Sequence, residues 1–277
     1  MSARLALSLL LLLAAPAVAA ETTPGGLVLV RQGTLPIILT APHGGRESVP
    51  GAEPRKDRSQ TGEYRKWGGF QKGADVNADV LAQSIAARLA ELTGGEPYVV
   101  VATFQRKYID ANRPPELALD DRRARPYYDL YHAAIRGFVD EVRGRHARGL
   151  LIDVHGQAKD GDVVMRGTLN GHAIQGLLWR AGVHAITGPR GLFGQLEAQG
   201  LRVFPGNDVP PHEHSEDAGF IGGYTLDLYG SHNRKGIDAV QMEFGTRYRD
   251  KSAVEATARD TARAIATFHE TYLKPAR

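Results

Sequence analysis

Short apolar runs alternate with longer amphipathic stretches through most of this chain, and that alternation constrains its fold more than any other feature. Residues 37–41, 98–104, 150–154 and 239–244 are apolar runs. Runs of this length and character suit strands buried on both faces. Residues 27–30 and 201–204 are further short strand candidates. Between these runs, residues 75–92 carry Val76, Val80, Leu81, Ile85 and Leu89 at helical spacing and stop at Gly94-Gly95. Residues 127–145 place Leu130, Ala134, Phe138 and Val142 on one face, and 252–272 form a closing amphipathic helix. Residues 173–183 and 189–199 are weaker helix candidates. Strands separated by helices of this length predict an α/β fold with a largely parallel sheet covered on both faces.

The first twenty residues do not belong to that pattern. Arg4 precedes an apolar core from Leu5 to Leu13, and Ala17-Val18-Ala19 follows as a small-x-small site. This is the form of a secretory signal. The run is shorter than the ~20 apolar residues that span a bilayer. Residues 1–19 are therefore read as a signal peptide, cleaved after Ala19 or Ala20. The expected product is a single domain over 20–277, periplasmic or secreted, with no stable membrane insertion. The chain has no cysteine, which excludes disulfides, thiolate metal sites and a thiol nucleophile. Its 34 basic and 31 acidic residues are spread along the chain. They form no basic stripe, so nucleic acid is not an expected partner.

In sheets of this kind, ligands bind beyond the carboxyl ends of the strands. Chemically able residues cluster there. His43 and Glu47 follow the run at 37–41, Asp110, Asn112 and Arg113 follow 98–104, His155 follows 150–154, and Glu243 closes 239–244. Two imidazoles and a carboxylate make a three-ligand hydrolytic zinc site with one position open. His43, Glu47 and His155 are the candidate ligands of one zinc ion, which would bring the pKa of a water near 7. Glu243 is the candidate general base. Arg113, with Asn112 beside it, offers a planar fork for a substrate carboxylate. Bland readings compete. Glu243 suits a buried ion pair, Arg113 suits a partner for Asp110, and any lone His suits a backbone-satisfied polar residue. Asp153, two residues before His155, shares its face if the strand continues and would then support a ligand.

The stretches APHGG, YIDANRP, LIDVHGQ and GGYTLDLYGSHNRKGIDAVQMEFGTRYR resemble those of the N-formylglutamate amidohydrolase family, in the same order from about residue 37 to 249. The resemblance implies a zinc carboxypeptidase-like three-layer α/β/α sandwich around a mixed, largely parallel sheet. It places His43, Glu47 and His155 on the metal, Asn112 and Arg113 on the substrate carboxylate, and Glu243 as general base. Two departures stand out. Gly44 occupies the place of a serine in the family motif, and Glu47 lies one residue further from its histidine than in the carboxypeptidases. The implied activity is hydrolysis of an amide bond in an N-acyl or N-formyl amino acid or a short peptide bearing a carboxylate. A peptidase acting on longer or cell-wall peptides is the alternative within the enzyme class. A periplasmic metal- or ligand-binding protein without catalysis is the alternative outside it.

Other features carry weaker readings. Residues 46–73 and 205–236 are long polar segments; if they cap the cleft, small substrates are favoured. His212 and His214 are read first as solvated, Tyr224 as packing or closing over substrate, and Asp75 as an acid favoured at a helix N-terminus. One arginine of the run 122–125 is a candidate for polarising a scissile carbonyl.

Overall fold

The computed structural model describes residues 21–22 and 26–274, so the expected signal segment, residues 1–19, lies outside the described residues. Among the described residues, eight strands form one sheet: β1 (Glu21–Thr22), β2 (Val28–Arg31), β3 (Ile37–Ala41), β4 (Tyr98–Ala102), β5 (Leu150–Gly156), β6 (Val164–Gly167), β7 (Val203–Phe204) and β8 (Asp238–Phe244), in the order β1-β2-β4-β3-β5-β8-β6-β7. The central strands β4, β3, β5 and β8 are mutually parallel, while β2 and β6 join them antiparallel. The sheet is mixed, with a parallel centre.

Alternation along the strands divides the core in two. Ile37, Leu39, Val99, Val101, Ile152, Val154, Val240 and Met242 face one layer, and Ile38, Val100, Leu151 and Ala239 face the other. The first layer holds α1 (Ala78–Thr93) and α9 (Val254–Phe268), packed together through residues such as Leu81, Ile85, Ala258 and Ile265. The second holds α3 (Arg125–Arg145), through Tyr131, Ile135, Phe138 and Val142, and the short α7 (Tyr224–Tyr229). This is an α/β/α sandwich. Among the described residues, no helix is long and apolar enough to cross a membrane.

Strand β6 and helix α7 are among the elements that the sequence pattern does not predict. Strand β6 contains Arg166, fully buried and 3.5 Å from Glu216, so a charged residue sits inside a strand because a distant acid faces it. Helix α7 is only six residues long, too short for periodicity to reveal.

The chain's path sets the position of the cleft. From β3 it runs through α1 to β4 on one side, then through α3 to β5 on the other side of β3. The carboxyl ends of β3 and β5 therefore flank the point where the strand order reverses, which is where α/β sheets open a crevice.

Candidate metal centre and cleft

Four residues converge at that reversal point. His43 follows β3, His155 and Glu243 lie opposite each other in the β5–β8 pairing, and Asp75 comes from the segment just before α1. All four are buried. The His43 and His155 ring centroids are 4.8 Å apart. One ligand atom from each of His43, Asp75 and His155 lies within 4.8 Å of the other two.

The orientation of the rings is more informative than their separation. His43 Nε2 is 2.7 Å from Asp110 Oδ1, and His155 Nε2 is 2.9 Å from Asp153 Oδ2. A carboxylate only accepts, and it is nearer to His155 Nε2 than the Asn112 Nδ2 at 3.2 Å, so both Nε2 atoms carry the proton and donate. Both Nδ1 atoms then turn towards Asp75 Oδ2, at 3.4 Å from His43 and 3.1 Å from His155. The buried His43 Nδ1 has no hydrogen-bond partner among the described residues. A lone pair aimed at a carboxylate oxygen is stable only with a cation or proton between them. Ligating histidines that donate their second N–H to a carboxylate are the usual support of a divalent metal. The residues present fit zinc, with His43, Asp75 and His155 as donors.

The supports follow from alternation. Asp153 and His155 share one face of β5, as Gln241 and Glu243 share one face of β8. Thr40 Oγ1 donates to Asp153 Oδ1 at 2.5 Å, and Gln241 Nε2 donates to Glu243 Oε1 at 3.0 Å. Asp75 is tied in by its own N–H to the His43 carbonyl (3.1 Å) and by Gly156 N donating to its Oδ2 (3.1 Å).

Glu47 does not join this group. It is exposed, and its main chain continues sheet-like pairing: Glu47 N donates to Thr103 O and Gln105 N to Glu47 O. That pairing fixes Glu47 away from the histidines, and Asp75 stands where the sequence reading put Glu47. Gly44 is explained by a different contact, the start of α1: a Cβ there would lie 2.4 Å from Asp79 N.

Charge at the site is dense. Burial alone would raise the Asp75 and Asp110 carboxyls. The two imidazoles and Arg106 hold Asp75 well below the usual range, and Arg106, Arg113 and His43 do the same for Asp110. Burial opposes protonation of His155, but Asp153 and Glu243 raise it well above the ordinary imidazole value. Glu243 moves opposite to Asp75 and Asp110: burial pushes its carboxyl up to about 7, against the pull of His155.

A cavity of about 330 Å³ opens beside these groups, lined by His43, Asp75, Arg106, Arg113, His155 and Glu243 among others. Arg113 is nearly buried. Its Nη1 donates to Asn112 O (2.7 Å), its Nη2 to Gly69 O (3.1 Å), and its Nε is 4.0 Å from Asp110 and without a hydrogen-bond partner among the described residues. Asn112 also lines the cavity, though its Oδ1 accepts from Thr225 N at 2.8 Å and so holds the start of α7. Arg106, absent from the sequence reading, donates to Asp110 Oδ2 at 2.9 Å and reaches to 3.7 Å from Asp75. Arg122, Arg123 and Arg125 are exposed instead. His212 and His214 are exposed too.

The two long segments meet over the cleft. Trp67, Gly68, Gly219 and Phe220 line the cavity. Lys66 Nζ lies 3.5 Å from Asp227, and the Trp67 ring packs edge-on against Tyr224 at 5.7 Å.

No protein-family model matches the chain, and no curated protein matches it in sequence. Solved structures do. An N-formylglutamate amidohydrolase from Ralstonia eutropha JMP134 superposes with a TM-score of 0.56 at 18% identity, over 87% of this chain and 95% of that one. A gene product from Agrobacterium tumefaciens gives 0.50 at 14%, over 85% and 91%. A succinylglutamate desuccinylase from Chromobacterium violaceum gives 0.42 at 12%, over 94% and 75%. At these identities the first two likenesses establish a shared fold.

Proposed function

We propose that this chain is a metal-dependent hydrolase, with one zinc ion, that cleaves the amide bond of a small substrate bearing a carboxylate, such as an N-acyl or N-formyl amino acid. The observation that carries this reading is the convergence of two imidazole Nδ1 atoms on Asp75 Oδ2, each ring held from behind by its own carboxylate. His43, Asp75 and His155 would hold the ion. Zinc, when bound, makes water a nucleophile near neutral pH and draws electrons from a carbonyl.

The chain's own groups do the rest. Glu243, with a carboxyl near 7 and buried at the cavity wall, takes a proton from the attacking water and returns it to the departing nitrogen. Arg106 sets a fixed cation where negative charge develops on the carbonyl oxygen. Arg113 orients the substrate through the substrate's carboxylate; its Nε, 4.0 Å from Asp110, has no hydrogen-bond partner among the described residues. The clasp between Trp67 and Tyr224 limits the length of what enters, which favours small substrates over polypeptides. A binding protein has no use for Glu243 beside the ligand set. Export through residues 1–19 is part of the proposal and would place the activity outside the cytoplasm.

The test is turnover by the zinc-loaded chain on panels of N-formyl and N-acyl amino acids and dipeptides, with a chelator abolishing activity and zinc restoring it. Absence of turnover on every member would favour the binding protein.

A further inference from the structure

Arg249 ends α8 (Thr246–Arg249), the turn that follows β8, and is 6% exposed. Its guanidinium donates to main-chain carbonyls of three separate segments: Nε to Phe244 O at 2.8 Å, Nη2 to Gln157 O at 3.1 Å, and Nη1 to Val76 O. Each acceptor adjoins the candidate site. Val76 follows Asp75, Phe244 follows Glu243, and Gln157 lies just beyond His155. The main chain of Arg249 is held as well, because Asn77 Nδ2 donates to its carbonyl at 2.7 Å. The passage is built for this side chain: a Cβ on Gly156 would stand 2.2 Å from Arg249 Cζ.

The segment that carries Asp75 needs such a tie. Residues 73–75 have no regular secondary structure, and 76–77 form a turn. His43 and His155 are set by strand ends, whereas Asp75 depends on hydrogen bonds to neighbouring segments. A planar fork with five N–H groups can hold three carbonyls in one fixed arrangement; an ammonium on a flexible stem cannot.

We propose that Arg249 is a positioning residue of the metal site: it fixes Asp75 relative to His155 and Glu243 and thereby sets the affinity for zinc. This rests on the metal-site reading above. It assigns no contact with substrate.

The experiment compares metal-free wild type, Arg249→Lys and Arg249→Met. Zinc dissociation constants are measured by competition with a chromophoric chelator, cobalt-loaded spectra are recorded, and thermal unfolding is followed without metal. Arg166→Lys is the control for loss of a buried guanidinium, since Arg166 is fully buried in β6 and donates to Val209 O. The expected result is that Arg249→Lys unfolds cooperatively, binds zinc about 10–100-fold more weakly, and shows an altered cobalt spectrum. Arg166→Lys should keep wild-type zinc affinity. A folded Arg249→Lys with wild-type affinity and cobalt spectrum overturns the positioning role alone. So does an equal loss of affinity in Arg166→Lys. If Arg249→Met does not fold, Arg249→Lys decides; if neither folds, Arg249 belongs to the fold and the assignment is overturned. A wild type without zinc affinity removes the metal reading itself and this inference with it.

Discussion

His155 and Glu243 face each other across the paired strands β5 and β8, with the imidazole Nδ1 3.8 Å from the carboxylate Oε1. The pair places a titratable carboxyl against a candidate metal ligand without making it one of the donors that meet at Asp75. Glu243→Gln should therefore keep zinc content while kcat falls by about 10²–10⁴-fold. Loss of zinc together with activity would make Glu243 a ligand.

The same residue sets a pH dependence. A general base works ionised, and burial pushes the Glu243 carboxyl up to about 7. Activity should rise as pH climbs towards about 7 and level off above it. A profile already flat at pH 5 would mean that another group, with an ordinary carboxylate value, is the base.

Asp75 and Glu47 make opposite predictions. Asp75→Ala should leave the chain folded with zinc stoichiometry near zero after dialysis, because the ligand set loses its carboxylate. Glu47→Ala should retain zinc and turnover within about twofold, as expected of an exposed side chain away from special features. Metal analysis of the two dialysed variants checks both statements, and the reverse pattern would restore the sequence-based assignment.

Arg113→Lys should raise KM by about 10–100-fold for substrates with a free carboxylate, the magnitude of a lost charged hydrogen bond. Methyl esters of the same substrates should show little change. Equal losses on acid and ester would assign Arg113 to holding the Gly69 loop rather than to substrate.

His132 supplies a stability prediction remote from catalysis. Its Nε2 donates to Ala111 O at 3.0 Å, its Nδ1 meets the Tyr229 hydroxyl at 2.9 Å, and burial pushes it down to about 4. The unfolded chain takes up a proton near 6.5 that the folded chain resists. Stability should therefore fall as pH drops from about 6.5 to 4, by at most roughly 3 kcal/mol from this group. Denaturant titrations of His132→Gln across that range should show a correspondingly flatter dependence; an unchanged slope would contradict it.

Much of this was legible because strand ends are legible. His43, His155 and Glu243 stand beside apolar runs, and the rule for parallel sheets brings such residues to one rim. Asp153 supports His155 as strand alternation suggests. Asp75 was not legible, since an acid before a helix has a sufficient explanation in the helix dipole, and only the crossover from β3 to β4 carries it to the histidines. Glu47 misled through nearness in sequence: beyond Gly45 the chain pairs with residues 103–105 and turns the carboxylate outward. Arg106 sits in a polar stretch with no pattern of its own, and its place is fixed by Asp110 and Asp75 across the loop.

On the proposed reading, His43, Asp75 and His155 together hold one divalent ion. A crystal structure of the zinc-loaded chain, with anomalous data at the zinc edge, tests it most directly. A single strong peak bounded by both Nδ1 atoms and the Asp75 carboxylate is expected. A peak at Glu47 or at the exposed His212 and His214, or no peak between the two imidazoles, would contradict it.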